Sequence, residues 1–311
     1  MGALLSCLQR ADHASLPLSF PSLKSSKSVI NKSFSSKFSS IMSLTYNTLV
    51  DFCWGILNTS IIEDDKTPIR SGFEAMEQTR SIVISTMTFS MDQIKLIKST
   101  LGVTVNDVIT GIIFYGTRLY MQGVDDKSRA AKSTALILMN TRNTESYQSV
   151  NDMLSAQAKG SWGNQVSFLH VPIPQLEDER ISNPLDFIWE VHHIIERKKQ
   201  SLVVPLNGML LDMETKLKGY EAVAKHIHGA VTKVTSLIGP SQQMSLANHP
   251  IKGLYFTVAG GPDSFMISIM SYMGMVRVTL KTDKYFIDEH KLRSQIKRAF
   301  QIILNAALNQ T

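Results

Sequence analysis

The chain has 311 residues, of which 43% are hydrophobic and 19% charged, so it can bury the core of one large or two ordinary domains. Its formal net charge is +6, and the basic residues are spread along the chain without aromatic interleaving, which argues against a nucleic-acid partner. The two cysteines, Cys7 and Cys53, are too few for a disulfide framework or a thiolate metal site, which fits a reducing compartment.

The first 68 residues differ in composition from the rest of the chain. Residues 1–10 are predicted to form a short helix, and residues 14–40 a Ser/Pro/Lys-rich connector. The basic stretch Lys24 to Lys37 precedes a half-apolar segment, Ile41 to Leu57, which is too polar to span a bilayer. Such a pair of segments can rest on an anionic lipid surface, but a basic loop followed by a core helix explains the pattern equally well.

The extreme N-terminus allows two interpretations. Met1 to Ser6 match the N-myristoylation pattern, and Cys7 is a candidate for palmitoylation, so two lipid signals could anchor the protein. Alternatively, the same residues are the start of an internal helix that packs Leu4, Leu5 and Leu8 inward. A secretory signal is not predicted, because the apolar run is short and lacks a basic lead.

From residue 69 onward, strand-like and helix-like patterns alternate. The predicted strands are Ser81–Phe89, Ala135–Met139, Val166–Ile173, Val234–Ile238, Leu254–Ala259, Ser264–Tyr272 and Met275–Lys281. The predicted helices are Met91–Leu101, Val105 to Gln122, Pro184 to Ser201, one or two within 206–233, and a last helix capped by Asp288. This order predicts an α/β protein with mixed α+β layers, divided into an N-terminal region, 1–68, and a mixed-sheet domain, 69–311.

The histidines do not form a recognisable metal or catalytic motif. His192 and His193 lie within an amphipathic helix, where a substrate hydroxyl has no obvious approach, so we predict that neither is catalytic. His226 and His228 are two residues apart, which on a helix points them to different faces, so no metal site is predicted. The chain also lacks a Gly-x-Ser-x-Gly elbow and a Walker loop.

Asn106 and Asp107 are the most informative polar pair. Thr104 and Asp107 have the spacing of a capping box, which predicts a helix start between them. A capped helix terminus is also a rigid place from which Asn106 could orient a substrate. The structural and functional interpretations are compatible.

The same pair resembles the Asn-Asp-Val motif of the plant-type wax ester synthase/diacylglycerol acyltransferase family. Other landmarks follow in the family's order: Asn140-Thr141-Arg142, Gly163-Asn164, Gly239-Pro240, His249-Pro250 and Ser271-Tyr272-Met273 leading to Asp283. The chain is identified as a member of this family over about Met1 to Leu304. It starts just after the position of the family's HHxxxDG motif, which supplies the catalytic base.

The resemblance implies a chloramphenicol-acetyltransferase-like fold with most of the first half-domain missing. It also implies an O-acyltransferase that moves a long acyl chain from acyl-CoA, as co-substrate and with no bound cofactor, to a fatty alcohol or diacylglycerol. A membrane-associated location, at the endoplasmic reticulum or plasma membrane, would follow. The candidate channel or structural residues are Asn106, Asp107, Gly111, Asn140, Arg142, Gly163, Asn164, Gly239, Pro240 and His249.

Two departures from the family pattern bear on activity. The 311 residues contain no HHxxxDG, and Ser236 stands where the family has an asparagine before the Gly-Pro turn. Loss of a general base typically costs about 10²- to 10⁴-fold in rate, so this chain alone is expected to be inactive or nearly so. The alternative is a non-catalytic lipid-binding or regulatory module.

Overall fold

The computed structural model describes residues 4, 7–11, 46, 48–51, 64–70, 81–141, 150–155, 166–176, 183–219, 232–258 and 265–310. The strands are β1 Gln9–Arg10, β2 Ile82–Ser90, β3 Thr134–Asn140, β4 Val166–Pro172, β5 Thr232–Ile238, β6 Met244–Leu246, β7 His249–Pro250, β8 Phe265–Tyr272 and β9 Met275–Asp283. The helices are α1 Met91–Leu101, α2 Val105–Val124, α3 Val150–Leu154, α4 Pro184–Lys199, α5 Val203–Lys218 and α6 Glu289–Leu308, with a 3-10 turn at Asp126–Ala130.

A six-stranded mixed sheet, in the order β2-β9-β8-β5-β3-β4, forms the centre of the fold. β3, β5 and β8 are parallel neighbours, whereas β9 is antiparallel to both β8 and β2, and β4 is antiparallel to β3. β2 therefore runs in the same direction as β8. The carboxyl ends of β2, β3, β5 and β8 meet at one edge of the sheet, which we call the carboxyl edge; the opposite edge is the amino edge. The predicted mixed α/β layers are confirmed.

One face of this sheet, the helical face, packs against α1, α2, α4 and α6. Alternate strand residues supply its apolar side chains, as the period of two in a strand requires. Phe89 stacks on Phe300 of α6, with ring centroids 4.7 Å apart. The fully buried members of this core include Val276, Val278, Leu280 and Ile267 from the sheet and Ile94, Ile113, Ile188 and Ile296 from the helices.

Arg118 fixes the C-terminal half of α2 to the amino edge. Its guanidinium is buried and donates to the carbonyl oxygens of Pro174 at 2.8 Å, Ala131 at 2.8 Å and Ile173 at 2.5 Å. Burial lowers the pKa of Arg118 to about 10, and the nearby Asp64 carboxylate opposes this shift. Because β4 ends and β3 begins at the amino edge, these bonds place the N-terminus of α2 toward the carboxyl edge.

Most predicted elements are observed within a few residues of their predicted ends. The capping box of Thr104 and Asp107 is present, and Gly102 ends α1 in the left-handed conformation with φ 67°. The strand predicted at Leu254–Ala259 is wrong, because residues 254–258 form no ladder. The helix predicted for residues 1–10 does not reach its end, since Gln9 and Arg10 pair with β6.

Among the residues described, no single helix is both long enough and apolar enough to cross a bilayer. α1 and α2 meet these two criteria only when taken together, and they are bent by 99° at the break between them.

Close packing of α2 against α6 predicts the effect of one methyl group. A β-carbon at Gly116 would lie 2.5 Å from the Ile296 Cα, so α6 would have to move. We expect Gly116→Ala to lower the free energy of unfolding by about 1–3 kcal/mol, measured by urea denaturation. Gly123→Ala, in the same helix with no atom within 4 Å of the added carbon, is the matched control and should stabilise by about 0.5–1 kcal/mol. Equal effects at the two sites would contradict the packing described.

A second prediction concerns the anchor at the amino edge. Arg118→Met leaves three carbonyl oxygens without their donor and should cost on the order of 3 kcal/mol of unfolding free energy. Arg298→Met removes the same charge from an exposed position of α6 and should change stability by less than about 0.5 kcal/mol. Chemical denaturation of both variants tests the difference, and an unchanged midpoint for Arg118→Met would refute it.

Candidate functional site

The structure gathers several of the predicted site residues at the carboxyl edge of the sheet. Asn140 is the last residue of β3, and Gly239 and Pro240 directly follow β5. Asn106 and Asp107 lie in the first turn of α2, which Arg118 orients toward the same edge. Ligands of open α/β sheets bind outside the carboxyl ends of the strands, so this edge is the candidate functional site.

Three of the predicted residues lie outside the part of the chain that the structure describes: Arg142, Gly163 and Asn164. The basic stretch Lys24 to Lys37 and the histidines His226 and His228 lie outside it as well. Their predicted roles stay predictions.

Asp107 is the centre of a buried polar cluster at the start of α2. Its side chain is 1% exposed, and its Oδ2 accepts hydrogen bonds from the Thr104 amide at 3.0 Å and the Thr104 hydroxyl at 2.7 Å. The Nδ1 of His192 lies 2.8 Å from the same oxygen. A carboxylate oxygen can accept several hydrogen bonds, so Asp107 is suited to accept all three contacts.

The His192 contact is the functional feature that sequence reasoning missed. In the tautomer that carries the proton on Nδ1, His192 donates to this carboxylate and its Nε2 is left as an acceptor. The two partners are 85 positions apart in the chain, so no local signal in the sequence connected them. His193 instead packs edge-on against the exposed Trp189 ring, with centroids 3.9 Å apart. That neither histidine is catalytic stays a prediction.

Asn106 and Gly111 have different surroundings. Asn106 is exposed at the helix start, where its amide is accessible to a ligand. A β-carbon at Gly111 would overlap with the Ile188 side chain of α4, so this glycine permits the close approach of α2 and α4. Of the two, only Asn106 is placed to touch a substrate.

The Gly239-Pro240 turn packs directly on β8. The Gly239 amide donates to the Ser271 hydroxyl at 3.2 Å, and a β-carbon on Gly239 would collide with the Ser271 carbonyl oxygen. Pro240 accepts from the Met273 amide at 3.3 Å. Ser236, which replaces the family's asparagine, is exposed on β5. The turn is therefore held by contacts with Ser271 and Met273 that do not involve the Ser236 side chain.

Tyr272 joins the small sheet β1-β6-β7 to the carboxyl edge. Its hydroxyl accepts from the Met244 amide at 2.9 Å and donates to the Ile251 carbonyl at 2.9 Å. His249 lies in β7 of this small sheet, near the same edge, and is exposed. It differs in this from His192, which contacts the buried Asp107.

A second buried ion pair lies at the C-terminal end of α4. Lys198 donates to Asp51 Oδ1 at 3.0 Å, and both side chains are 4% exposed. Burial lowers the pKa of Lys198, and the Asp51 carboxylate opposes the shift. The Leu202 amide donates to the Thr48 hydroxyl at 2.9 Å. These contacts attach residues 48–51 to the junction of α4 and α5.

Metal binding has no support in the described residues, where no three His, Cys, Asp or Glu side chains come together as a metal site requires. Among the residues that the structure describes, the polar groups at the carboxyl edge include backbone groups, the Asn106 and Asn140 amides, the Ser271 hydroxyl and the Asp107–His192 pair.

The Asp107–His192 pair can be measured by a double-mutant cycle. We expect Asp107→Ala and His192→Ala to be coupled by about 1 kcal/mol in the free energy of unfolding at neutral pH, since they share a direct contact. Asp107→Ala with His193→Ala is the control cycle and should give a coupling near zero. A zero coupling for His192 would show that the contact does not stabilise the fold.

Comparison with a known family identifies the C-terminal half. Residues 162–304 match the family model described as the WS/DGAT C-terminal domain. This range begins at the predicted Gly163-Asn164 segment and includes β4, β5, β8, β9 and most of α6.

Curated relatives extend the similarity over the rest of the chain. Wax ester synthase/diacylglycerol acyltransferase 6 from Arabidopsis thaliana is 28% identical over 340 residues, which covers 97% of this chain and 64% of the relative. Wax ester synthase/diacylglycerol acyltransferase 4 from the same plant is 29% identical over 266 residues, covering 80% of this chain and 50% of the relative. The chain thus spans half to nearly two thirds of the length of these two relatives.

Solved structures agree on the fold. A wax ester synthase/diacylglycerol acyltransferase from Marinobacter aquaeolei VT8 superposes with a TM-score of 0.52 at 13% identity, covering 86% of this chain and 58% of that structure. The EpoB cyclization-docking bidomain from Sorangium cellulosum superposes with a TM-score of 0.52 at 10% identity, covering 91% of this chain and 53% of that structure. The expected chloramphenicol-acetyltransferase-like fold is confirmed, and the C-terminal part of the chain, residues 162–304, matches the C-terminal domain of the wax ester synthase/diacylglycerol acyltransferase family.

Proposed function

We propose that the protein is an O-acyltransferase that transfers a long acyl chain from acyl-CoA to a fatty alcohol or to diacylglycerol. In this proposal, the chain supplies the sheet and helices of the C-terminal half of the fold. Its carboxyl edge forms one wall of the channel in which donor and acceptor meet. The observation that carries the proposal is the gathering of Asn106, Asn140 and the Gly239-Pro240 turn at that edge of a family-typical sheet.

The chemistry needs a base next to the acceptor hydroxyl. As that oxygen attacks the thioester carbonyl, a histidine takes its proton, and the thiol of CoA leaves when the tetrahedral intermediate collapses. In the family this base belongs to HHxxxDG, which the 311 residues do not contain. We therefore assign positioning, and not proton transfer, to this chain: Asn106 would orient a substrate from a helix start that the Asp107 cluster holds rigid.

Membrane association belongs to the same proposal. Long-chain substrates partition into lipid, and the basic stretch Lys24 to Lys37 followed by an amphipathic segment suits an anionic surface of the endoplasmic reticulum or plasma membrane. Cys7 is exposed and carries no disulfide, which leaves it accessible for the lipidation that the N-terminal pattern allows.

An ester-synthesis assay tests the function. The purified chain is given acyl-CoA with either a fatty alcohol or diacylglycerol, and ester is quantified beside the Arabidopsis thaliana relative 6 as a positive control. We expect binding of acyl-CoA but ester formation about 10²- to 10⁴-fold below that of the relative, because the base motif is absent.

Two other outcomes would change the assignment. Rapid ester formation by the chain alone would support an acyltransferase and refute the absence of a base. Sequencing the transcript upstream of the Met1 codon also tests whether a base is absent. An in-frame histidine pair followed by Asp-Gly would supply the base. The alternative function, a lipid-binding module, would be favoured by a third result. In that result this chain binds acyl-CoA, but a longer protein that includes the histidine pair and Asp-Gly makes no ester.

A further inference from the structure

The second face of the central sheet, which we call the polar face, carries a stripe of cationic and hydroxyl side chains on β9. Arg277, Thr279 and Lys281 alternate along the strand, so all three lie on the face opposite Val276, Val278 and Leu280. Thr279 is directly paired with Ser268 of β8 on one side and with Thr86 of β2 on the other. The stripe therefore crosses three adjacent strands.

The two cations of this stripe lack acidic partners. Lys281 is 3% exposed and Arg277 is half-buried, yet in the described ranges neither forms an ion pair within 4.0 Å. Asp283 follows on the same face, where its Oδ1 accepts from the Tyr285 amide at 3.0 Å. Lys233 of β5 lies in the same cross-strand row as Lys281. This face therefore offers cationic and hydroxyl groups to an anion.

The neighbouring hydroxyls support the same conclusion. Ser268 and Thr279 are each 1% exposed, and within the described structure the Ser268 Oγ and the Thr279 Oγ1 form no hydrogen bond. Buried hydroxyls usually have a partner, so these two adjacent hydroxyls beside Lys281 are free to donate to a ligand that accepts hydrogen bonds. Gly253 lies against the Arg277 guanidinium, where a β-carbon would be 2.8 Å from a guanidinium nitrogen, so the loop leaves room for that group.

We propose that the Arg277–Thr279–Lys281 stripe, together with Ser268, binds the phosphate groups of the acyl donor. Arginine, lysine and hydroxyl side chains are the usual partners of phosphate oxygens. Four residues of extended strand separate the two cations by about 14 Å, which suits a ligand with two separated anionic groups better than a single ion. Coenzyme A carries a diphosphate and a separate ribose phosphate. This inference rests on the proposed function for the identity of the donor.

Binding measurements on the whole chain test the site. Coenzyme A, pantetheine without phosphates, and inorganic diphosphate are titrated calorimetrically into the wild type and into Lys281→Met, Thr279→Val and Lys284→Gln. We expect Lys281→Met to weaken coenzyme A binding by about tenfold or more, because it removes a buried charge partner, and Thr279→Val to weaken it less. Lys284→Gln removes the same charge at an exposed position three residues away and should leave binding unchanged.

The variants must remain folded for the test to be informative. Replacement of an unpaired buried lysine by methionine is expected to keep or raise the melting temperature without ligand. Coenzyme A should raise the melting temperature of the wild type and of Lys284→Gln, and pantetheine should not.

The alternative results are distinct. Equal coenzyme A affinity in the wild type and Lys281→Met would overturn the site. Binding of the wild type to phosphatidic acid vesicles in phosphatidylcholine, with none to coenzyme A, would assign the phosphate to a lipid headgroup and overturn the donor assignment. Ester formation with a coenzyme A affinity insensitive to the stripe would reject this inference alone. Stripe-dependent binding, with no ester formed even by a protein that also carries the histidine motif, would reject the proposed function alone.

Discussion

The position of α2 depends on buried charged groups at its two ends. Arg118 joins the C-terminal half to three carbonyl oxygens at the amino edge, and Asp107 joins the N-terminus to Thr104 and His192. Between them, Gly111 and Gly116 let α4 and α6 approach closely. A shift of α2 by one turn, about 5.4 Å, would break every one of these contacts, so the helix can pack on the sheet in only one position. The position of α2 therefore fixes the position of Asn106.

The central sheet is chemically different on its two faces. On the helical face, residues such as Val278 and Ile267 bury apolar area against the helix layer, and this burial supplies most of the stability. On the polar face, the same strands present Thr279, Lys281 and Ser268. One strand can carry apolar residues on one face and polar residues on the other, because successive side chains point to opposite sides. The fold can thus be held together by one face while the other remains available for a ligand.

Predictions from the sequence succeeded where the determining interaction is local. The capping box at Thr104 and Asp107 and the αL glycine at Gly102 involve residues within four positions of each other, and both are observed. The strand predicted at Leu254–Ala259 failed, because Leu254 packs beside Tyr272 and Met244 from a loop, whereas Tyr255 and Val258 are exposed. Apolar alternation alone cannot distinguish a strand from a loop that covers a small core.

By itself, the sequence determined the order of helices and strands, the caps that separate them, and the family that the motifs resemble. All of these are written in short stretches of chain, where spacing and residue type act directly on the backbone. Only the tertiary structure decided that His192 contacts Asp107, that Asp51 pairs with Lys198, and that the cations of β9 lie beside Ser268. Such contacts depend on sheet register and on the position of each helix. Both are set by packing of the whole core and cannot be inferred from short stretches of sequence.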